Sequence, residues 1–331
     1  LRDQPKQWEP ILAAAVMMLM AVVLTFYRWY LLVRALHLPF RLPDALRLGF
    51  LGFLLNFVSL GSVGGDLFKA IFLAREHPGR RTEAVATVVV DRMVGLYCLL
   101  LLASAAVLWG GLLAAGQPVE LRAIGRVTLA ATVLGGMGIG VALIPGMTGG
   151  RMSQLLGQLP LVGPTAARLL AAVRIYRRKW PVMLVTVVLS LVVQGTFVIA
   201  IYLIARGLPG QMPTLGRHFL IVPLSMVAGA LPLPFAGLGA FEGALDFLYR
   251  YAAGGAAVKA GRGLIVALCY RMITVLIALV GVVYYLFGRS EVAAAMREAD
   301  VVAAEEGLVM AVESRDRTDM SESSRPADSS L

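Results

Sequence analysis

The chain has 331 residues, of which 59% are hydrophobic and only 15% are charged. Soluble domains carry about a quarter charged residues, so this composition excludes a soluble globular protein and predicts an all-α polytopic membrane protein. The net charge of +10 accompanies no polar domain large enough to bind nucleic acid, so we expect no nucleic-acid partner.

Five apolar segments are long enough to cross a bilayer as helices. A spanning helix needs roughly 20 apolar residues, and each segment is bounded by proline, glycine or charge, as helix ends usually are. In chain order they are 11–33, 84–109, 124–144, 181–205 and 263–287. In the first segment we expect Arg28 to extend towards the membrane interface and Trp29 to join the aromatic belt.

Two other apolar regions, 45–74 and 219–251, are interrupted by small residues. The first contains Gly61-Ser-Val-Gly64-Gly65-Asp66, and the second contains Pro232-Leu-Pro234-Phe-Ala-Gly237-Leu-Gly239. Each half holds about 11–16 residues, which is too few to span alone. We therefore predict a helical bundle of about five to six full transmembrane helices with two re-entrant hairpins. One broken span in each region is the alternative.

Basic residues in the connecting segments predict the orientation in the membrane. If both broken regions are hairpins, one side holds twelve Lys/Arg, in 34–47, 75–83 and 145–180. The other side holds eight, in the N-terminus, 110–122, 206–217 and 250–262. We expect a multi-pass protein of the cell membrane. Because cytoplasmic loops are enriched in Lys and Arg, we expect the first side to face the cytoplasm. The bias has a similar size if both regions span fully.

The charge distribution also predicts the domain boundaries. Residues 1–288 hold 25 Lys/Arg against 10 Asp/Glu and form the predicted transmembrane domain. Within it, 151–179 is predicted to be an interfacial amphipathic segment. Residues 289–331 hold 5 Lys/Arg against 10 Asp/Glu, and we expect this acidic tail to be cytoplasmic and largely disordered.

The two halves share an order of features that predicts an inverted repeat. In each half a long helix precedes a glycine-broken hairpin, an acidic residue and a further long helix that contains an arginine. Asp66 is followed by Asp91 and Arg92, and Glu242 is followed by Arg271. Paired broken segments of this kind indicate the substrate site of a transporter. The matching stretches are short, so chance similarity is the alternative.

Three charged residues lie deep in the predicted spans. Asp91, Arg92 and Arg271 are about eight or nine residues from their helix ends, or roughly 12–14 Å at about 1.5 Å per residue. A charge at such a depth costs about 2.5–3.5 kcal/mol, so each should face a partner or a cavity. We predict that Arg92 meets Asp66 and that Arg271 meets Glu242. Whether these pairs lock helices together or act on a substrate stays open.

The first break is suited to an anion. A half-helix that begins near Gly65 directs free N–H groups and a positive dipole end at the break, and Lys69 adds a charge one turn later. Asp66 is interpreted as an N-cap, a functional acid or both, and Asn56 as a partner for freed backbone carbonyls. The complete set of predicted substrate or cavity residues is Asn56, Gly61, Gly64, Gly65, Asp66, Lys69, Asp91, Arg92, Pro234, Gly237, Gly239, Glu242 and Arg271.

The sequence contains no arrangement of residues that indicates catalysis. The histidines are scattered without metal-ligand spacing, and neither a Ser/His/Asp nor a Cys/His pattern is present. Cys98 and Cys269 fall within apolar spans, so a disulfide framework is not expected. We therefore predict no catalytic residue, no metal and no cofactor, and we expect that the protein is not an enzyme.

Four stretches together resemble the transmembrane domain of the lysylphosphatidylglycerol synthase family, also called flippase-like integral membrane proteins. They are Tyr27-Arg-Trp-Tyr-Leu-Leu, 56–69, Val90-Asp-Arg and 234–242, and the resemblance covers roughly 11–287. It implies a helical bundle with re-entrant elements that moves a lipid or lipid-linked headgroup between leaflets. It also assigns the glycines of both breaks, with Asp66, Lys69 and Glu242, to the central cavity.

The sequence departs from the family pattern in several places. Leu60-Gly61 stands where the family often has Pro-Gly, and Lys69 stands where it often has Arg, which would grip phosphate in a bidentate manner. The family usually has a further helix before the Arg-Trp one, a difference that fits an N-terminal truncation. Only a short acidic tail follows the spans, where some members carry an aminoacyl-transferase domain.

These features predict binding and translocation of a phospholipid or lipid-linked headgroup, with anionic membrane phospholipids as partners. One alternative is a membrane enzyme, or a membrane subunit, of lipid-linked glycan or aminoacyl-lipid metabolism. Another is a structural or regulatory protein that docks through its acidic tail. A homo-oligomer and a biosynthetic partner protein are both left open.

Overall fold

The protein is helical throughout the part of the chain that its computed structural model describes, residues 7–58, 64–143, 173–230, 239–251 and 258–287. No β-strand occurs within these ranges. Helices are the expected solution for so apolar a chain, because a bilayer offers no water to satisfy backbone N–H and C=O groups. The predicted all-α class is confirmed.

Among the residues that the structure describes, five helices are long and apolar enough to cross a membrane. They have 25 residues or more, and about 1.5 Å per residue carries them across a hydrocarbon core of about 30 Å. They are α1 (Trp8–Ala35), α4 (Arg81–Trp109), α5 (Val119–Leu143), α6 (Trp180–Gly207) and α9 (Arg262–Phe287). Each of the five predicted spans corresponds to one of these helices.

Four shorter helices lie around the two predicted breaks. They are α2 (Leu42–Val58), α3 (Gly64–Glu76), α7 (Leu215–Ala230) and α8 (Ala240–Tyr251), with 17, 13, 16 and 12 residues. A short 3₁₀ turn, Pro78–Arg80, joins α3 to α4. The break residues 59–63 and 231–238 lie outside the described residues, as do 144–172 and 288–331, which include most of the predicted interfacial segment and the acidic tail.

Each pair of short helices folds back on itself. In the first hairpin, formed by α2 and α3, the backbones touch at Gly52 and Gly65. In the second hairpin, formed by α7 and α8, His218 Nε2 lies 2.7 Å from the hydroxyl of Tyr249, and Gly229 packs against Phe241 near the break. The second pair is therefore antiparallel, and so is the first, in which Asn56 contacts Gly65 and Gly52 contacts Lys69. Their re-entrant placement in a bilayer stays a prediction.

The two long helices α1 and α6 pack against each other most extensively. Ile11 lies against Gly207 at one end of this interface, and Arg28 contacts Ser190 towards the other, so the helices are antiparallel. Completely buried alanines such as Ala14 on α1 let the backbones approach closely. Close packing of small residues is the main source of helix association in a membrane.

The segment before α6 is anchored to α1 through Tyr176, which closes a helical turn at residues 173–176. The Tyr176 hydroxyl donates to the carbonyl of Leu32 at 2.8 Å. Burial raises the pKa of the Tyr176 phenol well above its ordinary value, so the hydroxyl remains a donor. This contact holds the end of α1 that lies nearest to the charged residues described next.

Candidate functional site

The first hairpin brings five charged side chains together with α1 and α4, a group we call the charged cluster: Arg28, Asp66, Lys69, Asp91 and Arg92. Asp66 and Lys69 are three residues apart and therefore share a face of α3. Asp91 and Arg92 are adjacent on α4 and point about 100° apart, so they turn to different partners.

Asp66 forms salt bridges with two cationic side chains. Its Oδ1 lies 2.9 Å from Lys69 Nζ, and its Oδ2 lies 2.9 Å from Arg92 Nε. The predicted Asp66–Arg92 pair is therefore confirmed. Asp66 is the third residue of α3 rather than the residue before it, which replaces the N-cap interpretation with an ion-pair role.

The two cations that bind Asp66 differ in accessibility. Lys69 is 8% exposed, and its Nζ also lies 5.5 Å from the ring centroid of Trp29, in a cation–π contact. The side chain of Arg92 is 57% exposed. Lys69 is thus enclosed by protein, whereas more than half of the Arg92 side chain is exposed.

Asp91 is bound by Arg28 in a bidentate manner. Arg28 Nε donates to Oδ1 at 2.8 Å and NH2 donates to Oδ2 at 3.0 Å. A third donor, NH1, reaches the hydroxyl of Ser190 on α6 at 2.8 Å. Parallel double hydrogen bonds of this kind are the strongest contacts between arginine and carboxylate. This buried triad ties together three spanning helices.

The sequence-based expectations for Arg28 and Trp29 were wrong. Arg28 is 5% exposed and Trp29 is 1% exposed, so neither extends into the membrane interface. α6 covers this face of α1, and Asp91 supplies a carboxylate at the same depth. Trp29 likewise satisfies its indole N–H inside the protein, by donating to Thr87 at 3.2 Å. The one signal that pointed to this arrangement was the need of Asp91 for a base other than its neighbour Arg92.

The glycines at the start of α3 permit the close contact within the first hairpin. A Cβ on Gly65 would lie 1.9 Å from the carbonyl oxygen of Gly52, so a side chain does not fit there. The Gly65 N–H donates to Asn56 Oδ1 at 3.0 Å, which satisfies one of the free donors at the helix start. Asn56 therefore binds an N–H group rather than the carbonyl that we expected. Gly64 is the first residue of α3.

The second hairpin contributes to two charged pairs, Glu242–Arg271 and Asp246–Arg250. Arg271 on α9 donates to Glu242 Oε1 through Nε at 3.0 Å and also through NH2, which confirms the predicted pair. Glu242 Oε2 accepts from the N–H of Gly239 at 2.9 Å and so caps α8. Gly239 has a φ of +94°, a conformation that favours glycine.

Comparison with known protein families identifies the family of this chain. The profile described as "Lysylphosphatidylglycerol synthase TM region" matches residues 4–281. The chain belongs to this family. No curated protein and no solved structure matches it.

In this member of the lysylphosphatidylglycerol synthase transmembrane family, α9 contacts both hairpins. Arg271 binds the second hairpin, and Gly281 packs against the backbone of Phe50 in the first. The charged cluster holds three cations and two carboxylates, whereas Glu242 and Arg271 balance each other. The charged cluster therefore carries one more cation than carboxylates, and its Arg92 side chain is 57% exposed.

Three predicted site residues lie outside the described residues of this family member: Gly61, Pro234 and Gly237. Their assignment to a cavity stays a prediction. Sequence reasoning missed three residues that the structure places in or against the charged cluster: Arg28, Trp29 and Ser190.

Proposed function

We propose that the protein binds the phosphate of a membrane phospholipid or lipid-linked headgroup at Arg92 and moves the headgroup between leaflets. The observation that carries this proposal is the unequal exposure of the three cations in the charged cluster. Arg28 and Lys69 are buried in protein contacts, while Arg92 is 57% exposed. An accessible guanidinium next to buried counter-charges is suited to a phosphate, which it can grip with two parallel hydrogen bonds.

The two hairpins supply a route for the headgroup. Broken helices in corresponding positions of two halves surround the substrate in many transporters, and rocking of one half against the other opens the site to alternate faces. In this proposal the acyl chains remain in the bilayer and no covalent step occurs. The protein acts in the cell membrane with its acidic tail in the cytoplasm.

The experiment measures exchange of a fluorescent anionic phospholipid between leaflets of proteoliposomes. We expect Arg92→Ala to slow exchange at least about tenfold, because a hydrogen bond to a charged group contributes roughly 1.5–3 kcal/mol. Arg92→Lys should retain part of the rate, since it keeps the charge but loses the planar fork. Arg126→Ala removes an exposed arginine from α5 and serves as the matched control.

Gel filtration and thermal unfolding establish that each variant is folded before exchange is compared. Wild-type exchange by folded Arg92→Ala would overturn the assignment of the phosphate to Arg92. Turnover of a lipid-linked donor by purified wild-type protein, without leaflet exchange, would instead favour the membrane-enzyme alternative.

A further inference from the structure

A cavity of about 570 Å³, which we call the groove, lies between the end of α4 and the start of α7. None of its lining residues belongs to the charged cluster or to the Glu242–Arg271 pair. Leu102 and Ala106 line it from α4, and Phe219 and Leu220 line it from α7. It is therefore a separate feature of the molecule, formed between a spanning helix and the second hairpin.

Most of the side chains that line the groove are apolar. Leu102, Ala106 and Trp109 follow one face of α4 at helical spacing and extend over roughly 10 Å, at about 1.5 Å per residue. The small residues Ala105 and Gly216 leave space between the larger side chains. A groove of this length with apolar walls accommodates part of a hydrocarbon chain.

One end of the groove is polar and positively charged. Arg217 lines it, and its NH1 lies 3.5 Å from the carbonyl of Gly110, just beyond the end of α4. Trp109, the last residue of α4, is 90% exposed. Tryptophan and arginine at the end of a spanning helix lie at the depth of the lipid headgroups, where an arginine stem follows apolar surface and its charge meets water and phosphate.

We propose that this groove binds one anionic phospholipid, with an acyl chain between α4 and α7 and the phosphate at Arg217. The occupant follows from the surroundings, because the surface of a spanning helix meets lipid and the single charge at the polar end is complementary to a phosphate. The bound lipid holds α7, the first half of the second hairpin, against α4. This site does not depend on the proposed translocation.

The test uses the full chain in bilayers and the fluorescence of Trp109. Brominated phosphatidylglycerol and brominated phosphatidylcholine with identical chains are compared as quenchers, and the signal of Trp109→Phe is subtracted to isolate the groove. We expect an anionic preference of about fivefold, the effect of one basic side chain at a membrane surface. The preference should fall to about one in Arg217→Gln and persist in Arg126→Gln.

Equal quenching by the two lipids in the wild type, or an unchanged preference in Arg217→Gln, would overturn the proposal. Loss of the preference in Arg126→Gln as well would also overturn it, because the effect would then be a general one of surface charge. If Arg217→Gln does not reconstitute, Ala105→Phe is tested instead, because it fills the groove and leaves the charge of Arg217 in place. This variant should lose most of the preference, and a wild-type preference would contradict the acyl-chain contact.

Discussion

At the scale of single residues, neighbouring ion pairs in the charged cluster differ in exposure. Arg28 and Asp91 bind each other inside the bundle, while Arg92 pairs with Asp66 and has a side chain that is 57% exposed. Lys69 connects the first hairpin with α1. The ammonium lies between Asp66 and Trp29, and its stem packs against Gly52, where a Cβ would lie 3.0 Å from Lys69 Cε.

The buried pair gives a prediction about stability. Asp91→Asn leaves the Arg28 guanidinium buried without a counter-charge, so we expect a loss of about 3–5 kcal/mol in the free energy of unfolding. The double variant Arg28→Met/Asp91→Leu removes both charges and should recover most of this loss. Unfolding in detergent, followed by circular dichroism, measures the three proteins. Equal stability of Asp91→Asn and the wild type would show that the pair does not lock the helices.

At the scale of elements, close backbone contact joins α2 to α3, whereas buried apolar side chains such as Leu245 also hold α8 in the bundle. The described helices α2 and α3, and likewise α7 and α8, flank the glycine- and proline-containing segments that the sequence marks as breaks. The pairing of α2 with α3 depends on glycines that face each other across the hairpin, Gly52 and Gly65. α9 then connects the hairpins through Arg271 and Gly281.

Two glycine-to-alanine variants test the importance of the backbone contact. Gly65→Ala places a Cβ 1.9 Å from the Gly52 carbonyl oxygen, and because the obstacle is backbone we expect a destabilisation of about 1–3 kcal/mol or failure to fold. Gly138→Ala, on α5, meets nothing within 4 Å and should stabilise its helix by up to about 1 kcal/mol. The melting temperatures of the two variants are compared with that of the wild type. Equal melting temperatures for Gly65→Ala and the wild type would mean that the hairpin tolerates separation of its helices.

At the scale of the whole molecule, the main question is how the bundle lies in the membrane. Large apolar side chains cover the outward faces of α5 and α9, for example Leu134, Met137, Met272 and Leu276. A soluble protein rarely exposes so many large apolar side chains, whereas in a bilayer lipid covers them and keeps them from water. The five long helices and this exposed surface are the features of a multi-pass membrane protein.

The predicted orientation is tested with single cysteines on either side of α4. In a background with Cys98→Ala and Cys269→Ala, a cysteine replaces Gly79 before the helix or Gly116 after it, two positions with nothing within 4 Å. Because basic residues are concentrated on the side of Gly79, a membrane-impermeant maleimide added to intact cells should label Gly116→Cys but not Gly79→Cys. The opposite pattern would invert the orientation, and labelling of both would contradict a spanning α4.

The sequence alone determined where the spanning helices lie and which acid each broken region offers to an arginine. Hydropathy and helix-breaking residues act locally, so α1, α4, α5, α6 and α9 were predictable, as were the pairs Asp66–Arg92 and Glu242–Arg271. Only the tertiary structure decided that Arg28 is buried against Asp91 and Ser190. These partners are 63 and 162 residues away, and which helix covers α1 depends on packing that no local pattern encodes.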